Sequence, residues 1–153
     1  MKILLLTLLL PVFMFSQTKN KADKMYKRYE PRSYISGFSM GGSLLSTFPI
    51  DIDFDNGAME KTLNGEITRF QWLKISDDKH LEQVTEEWQQ FLDHSGYIKK
   101  TVDDDDGDKI SIYLDGSRAQ FNEAHMLFIK EDKTTLLNVY GNFTIHKTAH
   151  NEH

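Results

Sequence analysis

Gly37, Ser39 and Gly41 stand at the spacing G-x-S-x-G within Gly37-Phe38-Ser39-Met40-Gly41-Gly42. In α/β-hydrolases this pattern carries a serine hydroxyl on a sharp strand-to-helix turn, where a histidine base and a carboxylate arm it for acyl transfer. Partners in the matching chain order exist: Asp106 or Asp115, then His125 or His146. Residues 34–40 read as a strand, and Leu44, Leu45 and Phe48 beyond the glycines read as a short helix, so the local setting agrees. The larger setting does not. Such an elbow ends a central strand of a mostly parallel sheet, and too few residues precede Ser39 to supply the earlier strands or the second oxyanion donor. The simpler expectation is that the glycines let a strand leave into a helix, with Ser39 alternating between buried Phe38 and Met40. No catalytic residue is assigned on this basis, and Ser39 is the first candidate nucleophile should the chain be an enzyme.

Carboxylates and histidines offer metal chemistry. Asp51, Asp53 and Asp55 alternate with Ile50, Ile52 and Phe54 and precede Asn56-Gly57, which resembles the opening of a calcium loop. The sixth position is Asn56 instead of glycine and the twelfth is Thr62 instead of glutamate, so the three aspartates are candidates for weak calcium binding only. Asp103, Asp104, Asp105, Asp106 and Asp108 repel one another and suit a solvated hairpin tip. His80 and His94 lie at opposite ends of one predicted helix. His146, His150 and His153 fall in a polar terminal stretch over 147–153, expected to fray. No metal or other cofactor is assigned. The sequon Asn142-Phe143-Thr144 lies inside a predicted strand.

These residues need elements to hold them. Residues 18–30 carry Ala22, Met25, Tyr26 and Tyr29 at helical spacing, and Pro31 ends the pattern. Residues 67–75 alternate as a strand, with Ile67, Leu73 and Ile75 expected on one face and Phe70 and Trp72 on the other. Asp77 or Asp78 can cap the helix that follows, whose stripe is Leu81, Val84, Trp88, Phe91 and Leu92. Four strands close the chain, over 97–102, 109–114, 124–130 and 134–145. Asp106-Gly107 turns the first pair, and Leu137, Val139, Phe143 and Ile145 share a face of the last strand. The expected fold is α+β: a mainly antiparallel sheet of five or six strands with two or three helices packed on one face. Trp72, Trp88 and Phe70 sit at core spacing.

Composition narrows the function classes. Residues 1–16 pair Lys2 with an apolar run too short to cross a bilayer, and Ser16-Gln17 fits a cleavage junction, so they read as a signal peptide. Residues 17–153 then form a single domain. The chain holds no cysteine, which removes a disulfide framework, a thiol nucleophile and a lipidated cysteine. A formal charge of −5 argues against nucleic acid and against an anionic membrane as partner. A soluble periplasmic or extracellular protein, not a lipoprotein and with no membrane insertion of the mature chain, is the expectation.

Four stretches together resemble a family of small exported proteins of Gram-negative bacteria, the domain of unknown function DUF4252. They are Phe15-Ser16-Gln17; Tyr34-Ile35-Ser36 leading to Leu44-Leu45; residues 67–75 with the helix reaching Gly96-Tyr97; and the hairpins ending in Leu136-Leu137-Asn138-Val139-Tyr140-Gly141-Asn142-Phe143. The resemblance covers nearly all of residues 17–153 and lies in order and hydrophobic pattern. It implies an exported α+β domain with no assigned activity and no catalytic residues to carry over, and it points to an envelope-response role. The expected function is a non-enzymatic binding or interaction domain of the cell envelope, engaging an envelope protein or a small ligand. A small serine hydrolase using Ser39 and a weak calcium binder using Asp51, Asp53 and Asp55 are the alternatives.

Overall fold

Among the described residues, alternating apolar and polar residues in six stretches form six strands of one sheet, and two amphipathic stretches form helices. A computed structural model describes residues 21–41, 60–103, 108–117 and 119–148. In chain order the elements are α1 (Lys21–Tyr29), β1 (Ile35–Gly41), β2 (Glu60–Ile75), α2 (Leu81–Asp93), β3 (Ile98–Asp103), β4 (Lys109–Gly116), β5 (Phe121–Ile129) and β6 (Thr134–Thr148). The strands lie in the order β1-β2-β6-β5-β4-β3, and every neighbouring pair is antiparallel. The α+β class with an antiparallel sheet is found. The expected signal peptide, the helix at Leu44, Leu45 and Phe48, and the candidates Asp51, Asp53, Asp55, Asp104, Asp105 and Asp106 lie outside the described residues.

Each helix has a local cause. In α1 the buried residues Ala22, Met25, Tyr26 and Tyr29 recur at three and four positions, and Pro31 cannot continue the hydrogen-bond ladder. In α2 the carbonyl of Asp77 accepts from Leu81 N at 2.9 Å, while its carboxylate accepts from His80 N at 3.1 Å. Asp77 therefore anchors the start of α2, and His80 and His94 are its flanking caps instead of residues within it. At the other end the Ser95 hydroxyl donates to the Phe91 carbonyl at 2.6 Å.

Two expectations about strand faces need correction. Ile67 does not share a face with Leu73 and Ile75. A bulge between Ile67 and Arg69 leaves Thr68 without a ladder partner, so parity changes there and Ile67 joins Phe70 on the opposite face. Facing the bulge is Gly141, where a Cβ would lie 2.0 Å from the Glu66 carbonyl oxygen; only glycine lets the two backbones approach this closely. Phe38, expected to be buried, is 44% exposed, because β1 is the edge strand and its outer side has no partner strand among the described residues. β6 also runs to Thr148, so residues 147 and 148 are strand and not tail.

The core falls into two clusters. In one, Met25, Tyr26 and Tyr29 of α1 and Val84, Trp88 and Leu92 of α2 pack with Ile35, Leu73, Ile75, Tyr113, Leu127 and Leu136. In the other, Ile112, Leu114, Phe121, Ala124, Met126, Val139 and Phe143 come together, flanked by Ile67, Phe70 and Leu137. Side chains alternate across each strand, so adjacent residues such as Met126 and Leu127 serve opposite clusters.

Candidate functional site

Ser39 sits inside β1, in ladder register with Gln71, and among the described residues none but glycine has a positive φ. It is an exposed strand residue and not the apex of a strained turn. The neighbouring Gly37 has a packing role: a Cβ there would lie 2.7 Å from Leu73 Cδ2. The register runs Ser39, Gln71, Asn138, His125, Tyr113 and Lys99 across all six strands. Ser39 and His125 are thus three strands apart, about 14 Å, far beyond the reach of a nucleophile–base hydrogen bond. Asp115 lies at the exposed end of β4, in register with Glu123, and His146 is in register with Thr62. Ser39→Ala is expected to leave stability within about 0.5 kcal/mol, as for other exposed substitutions. A fluorophosphonate probe is expected to form no adduct; labelling that vanishes in the alanine variant would establish the hydrolase instead.

The row through Ser39 is polar where its neighbours are apolar. Gln71, Asn138 and His125 are 2%, 1% and 0% exposed, so each must find hydrogen-bond partners within the protein. Gln71 Nε2 donates to Asp23 at 2.9 Å, and Gln71 Oε1 accepts from Tyr140 at 3.2 Å and from Asn138 at 3.4 Å. Asn138 Oδ1 accepts from His125 Nδ1 at 2.9 Å, and His125 Nε2 lies 3.2 Å from Glu123, which also accepts from the Tyr97 hydroxyl at 3.3 Å. Arg69 pairs with Asp23 at 3.1 Å and stacks 4.2 Å over the Tyr140 ring. Burial, with Glu123 nearby, pushes the Tyr97 and Tyr140 hydroxyls far up, so both stay protonated donors. This is a closed network whose buried groups satisfy one another.

Asp23 joins the network to α1. Burial alone would raise its carboxyl, but hydrogen bonds from Lys27 and Gln71 and the charge of Arg69 prevail, leaving it below its ordinary 3.8. A carboxyl depressed in the folded state stabilises above its unfolded value, and that stabilisation is lost as pH falls through the folded value. Urea melts are therefore expected to show stability falling as the pH drops below about 4. Asp23→Asn should lie below the parent at neutral pH and converge on it under acid. Parallel curves over that window would show that Asp23 does not carry the effect.

The described residues do contain an open groove, and it lies between the helices. A cleft of about 600 Å³ is lined by Lys21, Lys24, Met25, Arg28 and Tyr29 of α1 and by Glu87, Gln90 and Phe91 of α2. That volume falls within the range of small-molecule sites. A second hollow of about 100 Å³ shares Arg28, Tyr29 and Glu87 and adds Arg32, Tyr34, His80, Gln83 and Val84. The residues the two hollows share are held in place. The Tyr29 hydroxyl donates to Glu87, Gln83 donates to the same carboxylate at 2.8 Å, and Tyr29 meets Trp88 edge-on at 5.6 Å. The Tyr29 and Gln83 hydrogen bonds, with Arg28 and Arg32 nearby, hold Glu87 below the usual carboxylate range. At the far wall Tyr34 stacks on His80 at 4.1 Å, and His80 pairs with Asp77 at 2.6 Å.

Comparison with protein-family models, curated proteins and solved structures finds no match for this chain. Among the described residues no three histidine, aspartate or glutamate side chains gather as a metal site, and no helix is long and apolar enough to cross a membrane. Neither the groove nor the polar row was expected from the sequence. The groove had one sequence signal: Lys21, Lys24 and Arg28 recur at three and four positions beside the apolar stripe of α1. The row had another, single polar residues between apolar ones in Phe70-Gln71-Trp72, Leu137-Asn138-Val139 and Ala124-His125-Met126.

Proposed function

We propose that the protein is an exported, non-enzymatic binding domain of the bacterial cell envelope, with the groove between α1 and α2 as its binding surface. Residues 1–16 direct export in this reading, the mature chain works in the periplasm or beyond it, and the likeness to DUF4252 proteins suggests the envelope setting. The sheet acts as a rigid platform, with both helices on one of its faces so that the groove opens outward. The observation that carries the reading is the cleft of about 600 Å³ walled by two helices, with an apolar floor of Met25 and Phe91 and a cationic rim. The buried polar row supports the platform, since its groups are already committed to one another. Tagged protein crosslinked in the envelope of its native host and purified is expected to retain one stoichiometric partner or small ligand. That capture should disappear in the Lys24→Glu/Arg28→Glu variant, both positions being exposed, with an unchanged thermal melt verifying its fold. Equal recovery from both proteins, or background alone from each, would remove the groove as the binding surface.

A further inference from the structure

We infer that the α1–α2 groove, taken as the binding surface above, receives an anionic amphiphile: a single carboxylate or phosphate head on an aliphatic chain. Four cations line the two hollows, Lys21, Lys24, Arg28 and Arg32. None of them forms an ion pair with a described residue; the ion pairs of the described chain belong to Lys27, Arg69, His80, Lys99, His125 and Lys130. The only acid among the described lining residues is Glu87, and its oxygens already accept from Tyr29 and Gln83. The lining is therefore strongly positive within a chain of formal charge −5. An acidic protein that keeps unpaired cations together in a cleft holds a local anion site against its own overall field.

The shape divides the ligand. The smaller hollow is polar, lined by Arg28 and Arg32 together with Tyr34, His80 and Gln83, and its volume of about 100 Å³ suits a head group and not a chain. Guanidinium groups match carboxylate and phosphate oxygens in a planar fork, which a lysine does not offer. The larger hollow continues from Arg28 and Tyr29 over the side chains of Met25 and Phe91. An aliphatic chain laid there leaves water for apolar surface, while Lys21 and Lys24 keep their stems along it and their charges outside. An extended polyanion fits less well, because a chain of formal charge −5 repels the charges that the groove does not hold.

Calorimetric titration of the purified protein tests this with dodecanoate and dodecyl phosphate below their micelle concentrations, beside dodecyltrimethylammonium and inorganic phosphate. Both anionic amphiphiles are expected to bind at least about tenfold more tightly than either control, and the better of the two identifies the head. Arg28→Gln/Arg32→Gln should weaken binding by about tenfold or more, and Lys21→Gln/Lys24→Gln by less. All four positions lie on the helix surface or just beyond α1, and an unchanged thermal melt verifies the fold of each variant. Equal binding of the cationic amphiphile, inorganic phosphate as tight as dodecyl phosphate, or affinity unmoved by the arginine pair would each overturn the inference. If no amphiphile binds but envelope capture still depends on Arg28, the ligand is an acidic segment of a protein: the inference falls and the binding reading stands. If both experiments fail, both fall.

Discussion

Trp88→Ala is expected to lower stability by about 3–5 kcal/mol, the largest loss from any single side chain of the helix-covered core. Trp88 is 0% exposed and is the bulkiest of the fully buried side chains. It belongs to the cluster in which Met25, Tyr26 and Tyr29 of α1 meet Leu73, Leu127 and Leu136 of the sheet, and its ring meets Tyr29 edge-on at 5.6 Å. Truncation removes contacts to two layers at once, and the surrounding strands are pinned by their ladders, so the void cannot collapse fully. Domains of this size have about 5–15 kcal/mol in total, so the variant stays close to the edge of folding. Trp88→Phe should behave differently. The indole Nε1 has no hydrogen-bond partner, so phenylalanine gives up no bond, removes a buried unsatisfied donor and leaves a smaller void. About 1 kcal/mol of loss or less is expected for phenylalanine. Urea unfolding of the two variants separates the contributions. A small loss in the alanine variant would mean that α2 does not depend on this contact for its seat.

The contrast between what local pattern shows and what it hides follows from the range of the interactions. Helix stripes and strand alternation repeat within a few residues, so the two described helices and six strands are legible in order, several with ends misplaced by a few residues. β2 starts at Glu60, seven residues before the alternation becomes clear, because there its residues answer to β6 and not to a local rule. Pairing of β2 with β6 joins segments far apart in the chain, and nothing in either strand announces the other. The bulge at Thr68 is equally silent: its cause is the close approach of Gly141 on the partner strand, and its effect is to reverse the faces of every residue before it. Phe38 reads as core by type, and only its place on the edge strand exposes it. The GFSMGG motif shows the same limit from the other side. Its residue types fit an elbow, yet the backbone around Ser39 is an ordinary ladder, and the backbone decides. The groove is a relation between two helices separated by more than fifty residues, so only the cation stripe of one wall could be seen beforehand.

Asn138→Leu is expected to cost about 2–4 kcal/mol even though leucine is the more apolar residue and the site is 1% exposed. Asn138 is the middle member of the row: it accepts from His125 at 2.9 Å and donates to Gln71 at 3.4 Å. Leucine leaves the His125 Nδ1 proton and a lone pair on Gln71 Oε1 inside the protein without partners, and an unmet buried polar group costs more than a made hydrogen bond contributes. Tyr140 still donates to Gln71 at 3.2 Å, so most of the damage should fall on the His125 side. A double-mutant cycle with His125→Leu tests this. If the two side chains answer each other, the double variant should lose less than the sum of the singles, by about 1 kcal/mol or more, since the orphaned imidazole is removed with its partner. Strict additivity would show that each finds water or another partner when the first is lost. A positive coupling would make the row a structural commitment: groups so dependent on one another are not free to meet a ligand, and recognition is left to the groove, whose four cations form no ion pair with a described residue.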